Sequence, residues 1–210
     1  MTVPVAVPTI PNVRSPGTPA VQLITVHDAP LLLRDLFAGG DPGPIVAALA
    51  QVPELCQATL PFIGAALGPS SVPIRLKEIA ILRTSALLGC RYCVEAHTVV
   101  AHDVGFDTSQ LGVLRAETPI ARTFEDPTEA AVLRWVDLVA GGSGPIDPAA
   151  AAELSRFLPD HAIVELTVTV GATMFLNRFA TALRLPSAPE TLNKLADLGM
   201  IHWTPERPAA

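Results

Sequence analysis

The sequence lacks any concentrated run of lysine or arginine, and its formal net charge at neutral pH is −6. A surface that binds nucleic acid needs clustered cations to neutralise phosphates, so we exclude nucleic acid as a partner. No uninterrupted apolar run reaches the roughly 20 residues of a transmembrane helix, although half of all residues are hydrophobic. We therefore predict no membrane span and no membrane partner.

Targeting and cofactor signals are also missing. The N-terminal residues show neither a basic n-region nor a continuous apolar h-region, so we expect no secretory signal and a cytoplasmic location. No glycine-rich phosphate loop or other cofactor motif is present, and we expect no bound heme, flavin or nucleotide. Cysteine is scarce, with three residues, two of them in C-x-x-C spacing. This usage favours a reducing compartment and a chemically active pair over a secreted disulfide framework.

Clean period-two alternation is absent over any useful length, whereas apolar residues recur at helical spacing, which predicts an all-α fold of roughly eight to ten helices. Asp126–Pro127 and Asp147–Pro148 each form an N-cap and N1 pair. Asp28 is a further N-cap candidate. Pro61 is expected to kink or split the helix that begins at Pro53.

The domain organisation follows from proline content and pattern. Residues 1–27 are rich in proline and are predicted to form an extended N-terminal arm. Residues 28–210 are predicted to form a single helical domain, with a catalytic unit at about 55–115, a second unit at about 127–185 and a C-terminal tail at 186–210. The excess of apolar residues in a helical chain favours a homo-oligomer.

The side chains that can carry chemistry are concentrated in one stretch, EIAILRTSALLGCRYCVEAH. Cys90 and Cys93 stand one helical turn apart, a spacing that favours a reducible disulfide. His97 follows Cys93 by four residues, so its ring can exchange a proton with that sulfur. Glu78 lies twelve residues before Cys90, and a break at Gly89 would fold its carboxylate back beside the thiol.

The spacing of Glu78, Cys90, Cys93 and His97 resembles the signature of the alkylhydroperoxidase D-like (AhpD-like) proteins of the carboxymuconolactone decarboxylase superfamily. The resemblance implies an AhpD-like multi-helix bundle, assembled as a trimer or hexamer, with a dimer as an alternative building block. It implies a cysteine-based peroxidase without prosthetic group, which reduces hydroperoxides and is recycled by a thiol or dithiol reductant or a redox partner protein. It also implies that Cys93 attacks the peroxide as a thiolate and that Cys90 is the resolving thiol. His97 would deprotonate Cys93, and Glu78 would orient His97 or pass the proton through water.

One position departs from the family pattern. Several family peroxidases have a histidine just before the second cysteine, where this chain has Tyr92. A phenol with a pKa near 10 cannot relay protons at neutral pH as imidazole does, although it can donate a hydrogen bond to a substrate oxygen. Tyr92 is therefore a candidate substrate-binding residue, with aromatic packing at the mouth of the site as the alternative.

The resemblance extends more loosely over about residues 55–185. An E-L-T run at Glu165 and the pair Asn177 and Arg178 look like the family's second helical unit. Glu165 and Asn177 are twelve residues apart, as are Glu78 and Cys90, which predicts a weak internal repeat whose second copy lacks the thiols. Glu165 and Arg178 are expected to be buried and paired.

Three other functions can use these residues. Two thiolates and an imidazole can hold zinc, but Glu78 would be an unusual fourth ligand, so we expect no metal. Lactone decarboxylation, a lyase reaction of the superfamily, needs no thiols, and the presence of both cysteines argues against it. A non-catalytic alternative is a redox-sensing helical oligomer whose C-x-x-C pair is oxidised without turnover.

Overall fold

The computed structural model describes residues 18–120, 123–142 and 144–201, and all regular structure within these ranges is helical, which confirms the all-α prediction. A short 3₁₀ turn at Leu31–Leu33 precedes ten α-helices. They are α1 Arg34–Phe37, α2 Pro44–Leu49, α3 Pro53–Leu67, α4 Ile74–Leu87, α5 Arg91–Asp103, α6 Thr108–Leu114, α7 Pro127–Gly141, α8 Pro148–Leu154, α9 Asp160–Leu183 and α10 Pro189–Asp197.

Aspartate caps begin three of these helices. The Asp107 side chain accepts a hydrogen bond from the Gln110 N–H at 2.9 Å, and the Gln110 side chain accepts one from the Asp107 N–H, which completes a capping box for α6. Asp126 and Asp147 each accept from the N–H two residues further on, at 2.7 and 2.9 Å. Both predicted cap and proline pairs are confirmed as the starts of α7 and α8.

Helix α4 lies at the centre of the domain, because 11 of its 14 residues are buried. It packs against α5, α7 and α9. Ile79 and Leu82 share the main hydrophobic core with Leu133 of α7 and Leu166 of α9. Full burial of each such side chain contributes about 1.5–3 kcal/mol to folding. The polar side chains of α4 are therefore carried by a helix whose position is fixed by packing.

The chain reverses direction between α4 and α5. Gly89 has a φ of 69°, a left-handed conformation that glycine adopts without the steric cost of a Cβ atom. Cys90 follows in extended backbone as the N-cap of α5, and α5 packs back against α4. The break predicted at Gly89 is confirmed, and it brings the start of α5 beside the middle of the domain.

Helix α9 is a single helix of 24 residues that packs against α3, α4, α5 and α7. By length and composition it is the one helix within the described ranges that could cross a membrane. Its packing against four other helices explains that composition as that of a core helix. Glu165 and Asn177 both lie on α9, whereas Glu78 and Cys90 lie on either side of a break, so the weak repeat preserves spacing without preserving the turn.

An ion pair between a buried lysine and a glutamate that is only partly buried, rather than buried as predicted, ties α4 to α9. Lys77 is fully buried, and its Nζ lies 2.6 Å from Glu165 Oε1 and donates to the Gly68 carbonyl at 2.6 Å. The Ser70 hydroxyl donates to the same carboxylate. These donors, Lys77 first, lower the pKa of the Glu165 carboxyl. Glu165 thus has the partner that the sequence predicts.

Glu165→Gln is expected to reduce the free energy of unfolding by about 3 kcal/mol at neutral pH, because it leaves the buried Lys77 ammonium without its counter-charge. The folded pKa of Glu165 lies below the unfolded value. The free energy of unfolding of the wild-type protein should therefore decrease as pH falls through the folded pKa of Glu165. The variant should not show this decrease. Urea unfolding at several pH values measures both effects. Glu153→Gln, in an exposed pair with Arg134, is the control and should change stability by less than about 1 kcal/mol; equal effects would contradict the assignment.

Two predictions about local structure, for Asp28 and Arg178, were wrong, and the splitting of a helix at Pro61 was not found. Asp28 caps no helix; its carboxylate accepts from the Thr25 hydroxyl at 2.8 Å instead. Pro61 lies inside α3 without splitting it, because the carbonyl of Gln57 that loses its N–H partner lies on an exposed residue and can bind water. Arg178 is exposed rather than buried, because its side of α9 faces outward.

Part of the predicted arm contacts the helical domain. The Ala20 N–H donates to the Leu183 carbonyl at 2.8 Å, and the Ile24 N–H donates to the Ala47 carbonyl at 3.0 Å. Residues 1–17 of the arm lie outside the described residues, as does the end of the tail with Trp203. The described part of the predicted tail contains one short helix, α10.

Candidate active site

Cys90 and Cys93 lie at the start of α5 with their sulfurs 2.7 Å apart. Both are buried, and neither forms a disulfide. The separation exceeds the roughly 2.05 Å of an S–S bond, so the pair is a dithiol in which one S–H points at the other sulfur. The structure thus brings the two thiols together as the spacing predicts, and a small movement would join them.

The two sulfurs hold their protons unequally. The hydrogen bond from Cys93 lowers the pKa of Cys90 to about 7, against the opposing effect of burial, and Thr181 and Asn177 of α9 add further donors. The same contact, together with burial, raises the pKa of Cys93. Cys90 is therefore the thiol of the pair that loses its proton more readily, whereas the resemblance implies a thiolate on Cys93.

His97 and Glu78 form the second pair of the site. His97 Nδ1 lies 3.0 Å from Glu78 Oε2, and the Glu78 carboxylate is buried on α4. Because the carboxylate accepts the Nδ1–H, the ring's other nitrogen, Nε2, is left as its proton acceptor. His97 also stands one turn after Cys93 on α5. The arrangement can orient a base near the thiols, in the geometry that the sequence predicts.

A small cavity of about 100 Å³, the inner cavity, is lined by both Cys93 and His97. Three further polar side chains, those of Ser85, Tyr92 and Asn177, contribute to its wall. The remaining lining is mostly apolar and comes from Ile45, Leu67, Ile81, Ala96, Thr173 and Leu176. Such a site suits a small molecule with an apolar body and one polar end.

A larger depression of about 460 Å³, the outer groove, is lined by Cys90 and not by Cys93. At its edge the buried Glu95 carboxylate lies 2.6 Å from the Arg91 guanidinium and accepts from the Ser187 hydroxyl. Tyr92 lines both the groove and the inner cavity. The dithiol pair is therefore approached from two sides, Cys93 through the inner cavity and Cys90 through the outer groove.

Tyr92 cannot act as an acid–base group in this position. Burial raises its pKa to about 12, and the negative charges of Cys93 and Cys90 add to the rise. The phenol therefore stays protonated at neutral pH and only donates a hydrogen bond. Its place between the two cavities suits both a substrate donor and a packing side chain, so substrate binding by Tyr92 stays a prediction.

Sequence reasoning missed the contribution of α9 to the site. Asn177 is buried and donates to Ser85 Oγ at 3.0 Å, and Asn177 and Thr181 both help to lower the pKa of Cys90. A signal for Asn177 was available, because it is an amide in an apolar helix at the position that the repeat equates with Cys90. Thr181 follows four residues later and so lies on the same face.

The site offers little for a metal ion. Within the described ranges, no group of three or more His, Cys, Asp or Glu side chains is arranged to hold one. Cys90 and Cys93 contact each other, and His97 turns one ring nitrogen to Glu78. These contacts use the side chains that a zinc site would need.

Comparison with known sequences gives one family match. Residues 53–138 match the model of the carboxymuconolactone decarboxylase family. This span begins with α3, ends within α7 and includes Glu78, Cys90, Cys93 and His97. No curated protein matches the sequence.

Comparison of structures confirms the AhpD-like fold. An uncharacterised peroxidase-related protein from Silicibacter sp. TM1040 gives a TM-score of 0.70 at 20% identity, covering 82% of this chain and 93% of that chain. An AhpD-type protein of unknown function from Agrobacterium tumefaciens gives 0.59 at 26% identity, covering 67% and 95%. The debrominase Bmp8 gives 0.64 at 20% identity, covering 91% and 100%.

Proposed function

We propose that this chain, whose residues 53–138 match the model of the carboxymuconolactone decarboxylase family, is a thiol-dependent peroxidase that reduces organic hydroperoxides. The family includes enzymes, but family and fold alone do not select a reaction. The observation that supports this one is the pair of free sulfurs 2.7 Å apart beside an imidazole held by a carboxylate. A dithiol with an adjacent base is suited to two-electron oxidation.

The proposed reaction takes two electrons from the dithiol. A thiolate attacks the hydroxyl oxygen of the hydroperoxide, so that an S–O bond forms while the O–O bond breaks, and the departing alkoxide takes up a proton to become an alcohol. The second thiolate then attacks the sulfenic acid, forming the S–S bond and releasing hydroxide, which is protonated to water. A dithiol reductant restores both thiols by exchange and is itself oxidised to a disulfide.

We assign the first attack to Cys93, because it lines the inner cavity together with His97. Contact with Cys90 and burial raise the pKa of Cys93, so the attack requires its proton to move. The sulfur contact offers one route, to Cys90, and the ring of His97 one helical turn away offers the second. Glu78 holds the ring so that Nε2 is free to accept. Cys90 then acts as the resolving thiol.

The reductant is proposed to approach from the other side. Thiol–disulfide exchange needs access of an external thiolate to one sulfur of the bridge. Cys90 lines the outer groove, whose volume of about 460 Å³ admits a larger group than the inner cavity does. We infer that a dithiol or a redox partner protein attacks Cys90 there. Separate access to the two sulfurs keeps the peroxide and the reductant from competing for one cavity.

Two further features belong to the proposal. A cytoplasmic location suits the cycle, because a reducing thiol pool returns the disulfide to the dithiol.

Large apolar side chains are exposed on α3 and α9, and three of them, Val164, Val168 and Phe175, fall on one face of α9. Exposed apolar surface of this kind supports a homo-oligomer, either a trimer or a hexamer.

Steady-state consumption of tert-butyl hydroperoxide with dithiothreitol as reductant tests the proposal. We expect turnover that is proportional to the concentration of the protein and that stops after one equivalent of peroxide when dithiothreitol is omitted. A single oxidation without turnover, even with reductant present, would support the redox-sensing oligomer instead. Decarboxylation of a carboxylated lactone by a variant that lacks both Cys90 and Cys93 would support the lyase.

A further inference from the structure

Asn177 lies almost fully buried on α9, where it lines the inner cavity with Cys93 and His97. Its Nδ2 donates to Ser85 Oγ at 3.0 Å. The Ser85 hydroxyl hydrogen is already donated to the Ile81 carbonyl at 2.8 Å, so Ser85 Oγ can only accept. The Asn177 amide must therefore direct its NH₂ group to Ser85 and its carbonyl elsewhere.

The hydrogen bonds of this amide are used unequally. Besides donating to Ser85, the NH₂ group contributes to lowering the pKa of both Cys90 and Cys93. The carbonyl oxygen, Oδ1, is buried and has no hydrogen-bond partner among the residues that the structure describes. An unpaired buried carbonyl is unfavourable, and a ligand that brings a donor into the cavity would recover the lost hydrogen bond.

We propose that Asn177 recognises the hydroxyl end of the substrate, with Oδ1 accepting a hydrogen bond from the O–H group of a hydroperoxide in the inner cavity. This inference rests on the proposed peroxidase function and narrows its substrate class to hydroperoxides with a small apolar group, in keeping with a cavity of about 100 Å³. The oxygen that carries the hydrogen is the one that Cys93 attacks. The amide that would hold this oxygen thus lines the same cavity as the sulfur that attacks it.

A binding experiment tests this recognition without turnover, in a Cys90→Ser variant where Cys93 is the remaining thiol of the pair. tert-Butyl alcohol keeps the O–H group and apolar body of tert-butyl hydroperoxide, whereas methyl tert-butyl ether has no donor. We expect the alcohol to protect Cys93 from iodoacetamide at about tenfold lower concentration than the ether, the ratio that one neutral hydrogen bond gives. Equal protection by the two compounds would overturn the proposal.

Asn177→Leu, added to the same variant, removes the carbonyl at similar volume and is expected to abolish the preference for the alcohol. Asn193→Leu, which changes an exposed amide on α10, should retain it. If Asn177→Leu does not fold, the comparison of alcohol with ether in the parent variant still decides. If the protein prefers the alcohol but consumes no hydroperoxide, the proposed peroxidase function is refuted and recognition of a hydroxyl group by Asn177 is retained. If the protein turns over hydroperoxide but shows no preference for the alcohol, the peroxidase function is retained and the role of Asn177 is refuted.

Discussion

Cys93→Ser is expected to reduce hydroperoxide consumption by about 10³-fold or more, because a serine hydroxyl at neutral pH is neither a thiolate nor able to form a disulfide. Steady-state assays with dithiothreitol measure the loss. Cys56→Ser is the matched control. Cys56 is fully buried in a different hydrophobic cluster, and burial raises the pKa of its thiol, so it should be unreactive and its replacement should leave the rate unchanged.

The order of the two cysteines is decided by trapping the sulfenic acid. Cys90→Ser keeps the attacking sulfur and removes the resolving one, so one equivalent of hydroperoxide should leave a sulfenic acid on Cys93 that dimedone captures. The lower pKa of Cys90 favours the reverse order, and the position of Cys93 in the inner cavity favours the one proposed. A rapid first turnover in Cys93→Ser, with dimedone bound to Cys90, would reverse the assignment.

His97→Gln is expected to slow the single-turnover reaction with hydroperoxide by about 10²–10³-fold, the usual contribution of a positioned general base. Glu78→Gln should have a smaller effect of about tenfold, because a carbonyl oxygen can still accept from Nδ1 but does not stabilise a charged ring. His102→Gln is the control, since His102 lies on the same helix and is exposed beside Asp103. A loss in His102→Gln equal to that in His97→Gln would show that the effect is not specific to the site.

The pH dependence of that reaction separates the roles of thiol and base. In the wild-type protein the rate should rise with pH and level off above about 7, because the first thiol of the pair ionises there. Acidification below this value protonates the thiolate and should lower the rate about tenfold for each pH unit. Glu78→Gln should lower the plateau while leaving this ionisation in place, since Glu78 contacts the imidazole and not the sulfurs.

Much of the fold could be predicted because the residues that begin helices and reverse the chain act through local contacts. Asp107, Asp126 and Asp147 cap helices through hydrogen bonds within two or three residues, and Gly89 reverses the chain by its own backbone conformation. The grouping of Glu78 with His97 also follows from sequence, since helical spacing and one break place both on facing sides of α4 and α5. Pro61 shows the limit of such rules, because exposure of the neighbouring backbone decided its effect.

The rest of the site could not be predicted because it depends on long-range packing. Asn177 contacts Ser85 and lines the inner cavity only because α9 packs against α4 and α5; its type and spacing mark it as unusual but do not specify these contacts. The distribution of charge between Cys90 and Cys93 likewise depends on donors from two helices rather than on the C-x-x-C spacing. The acidity of the Cys90 and Cys93 thiols therefore depends on residues that are distant in sequence.

The central claim, a dithiol that an oxidant joins reversibly, is tested most directly by mapping cysteines after one equivalent of tert-butyl hydroperoxide. The account predicts that two of the three thiols are lost, that peptide mass spectrometry finds a Cys90–Cys93 bridge with Cys56 free, and that dithiothreitol restores all three. Oxidation of a single cysteine to a sulfinic acid, a bridge between subunits, or three unchanged thiols would contradict it.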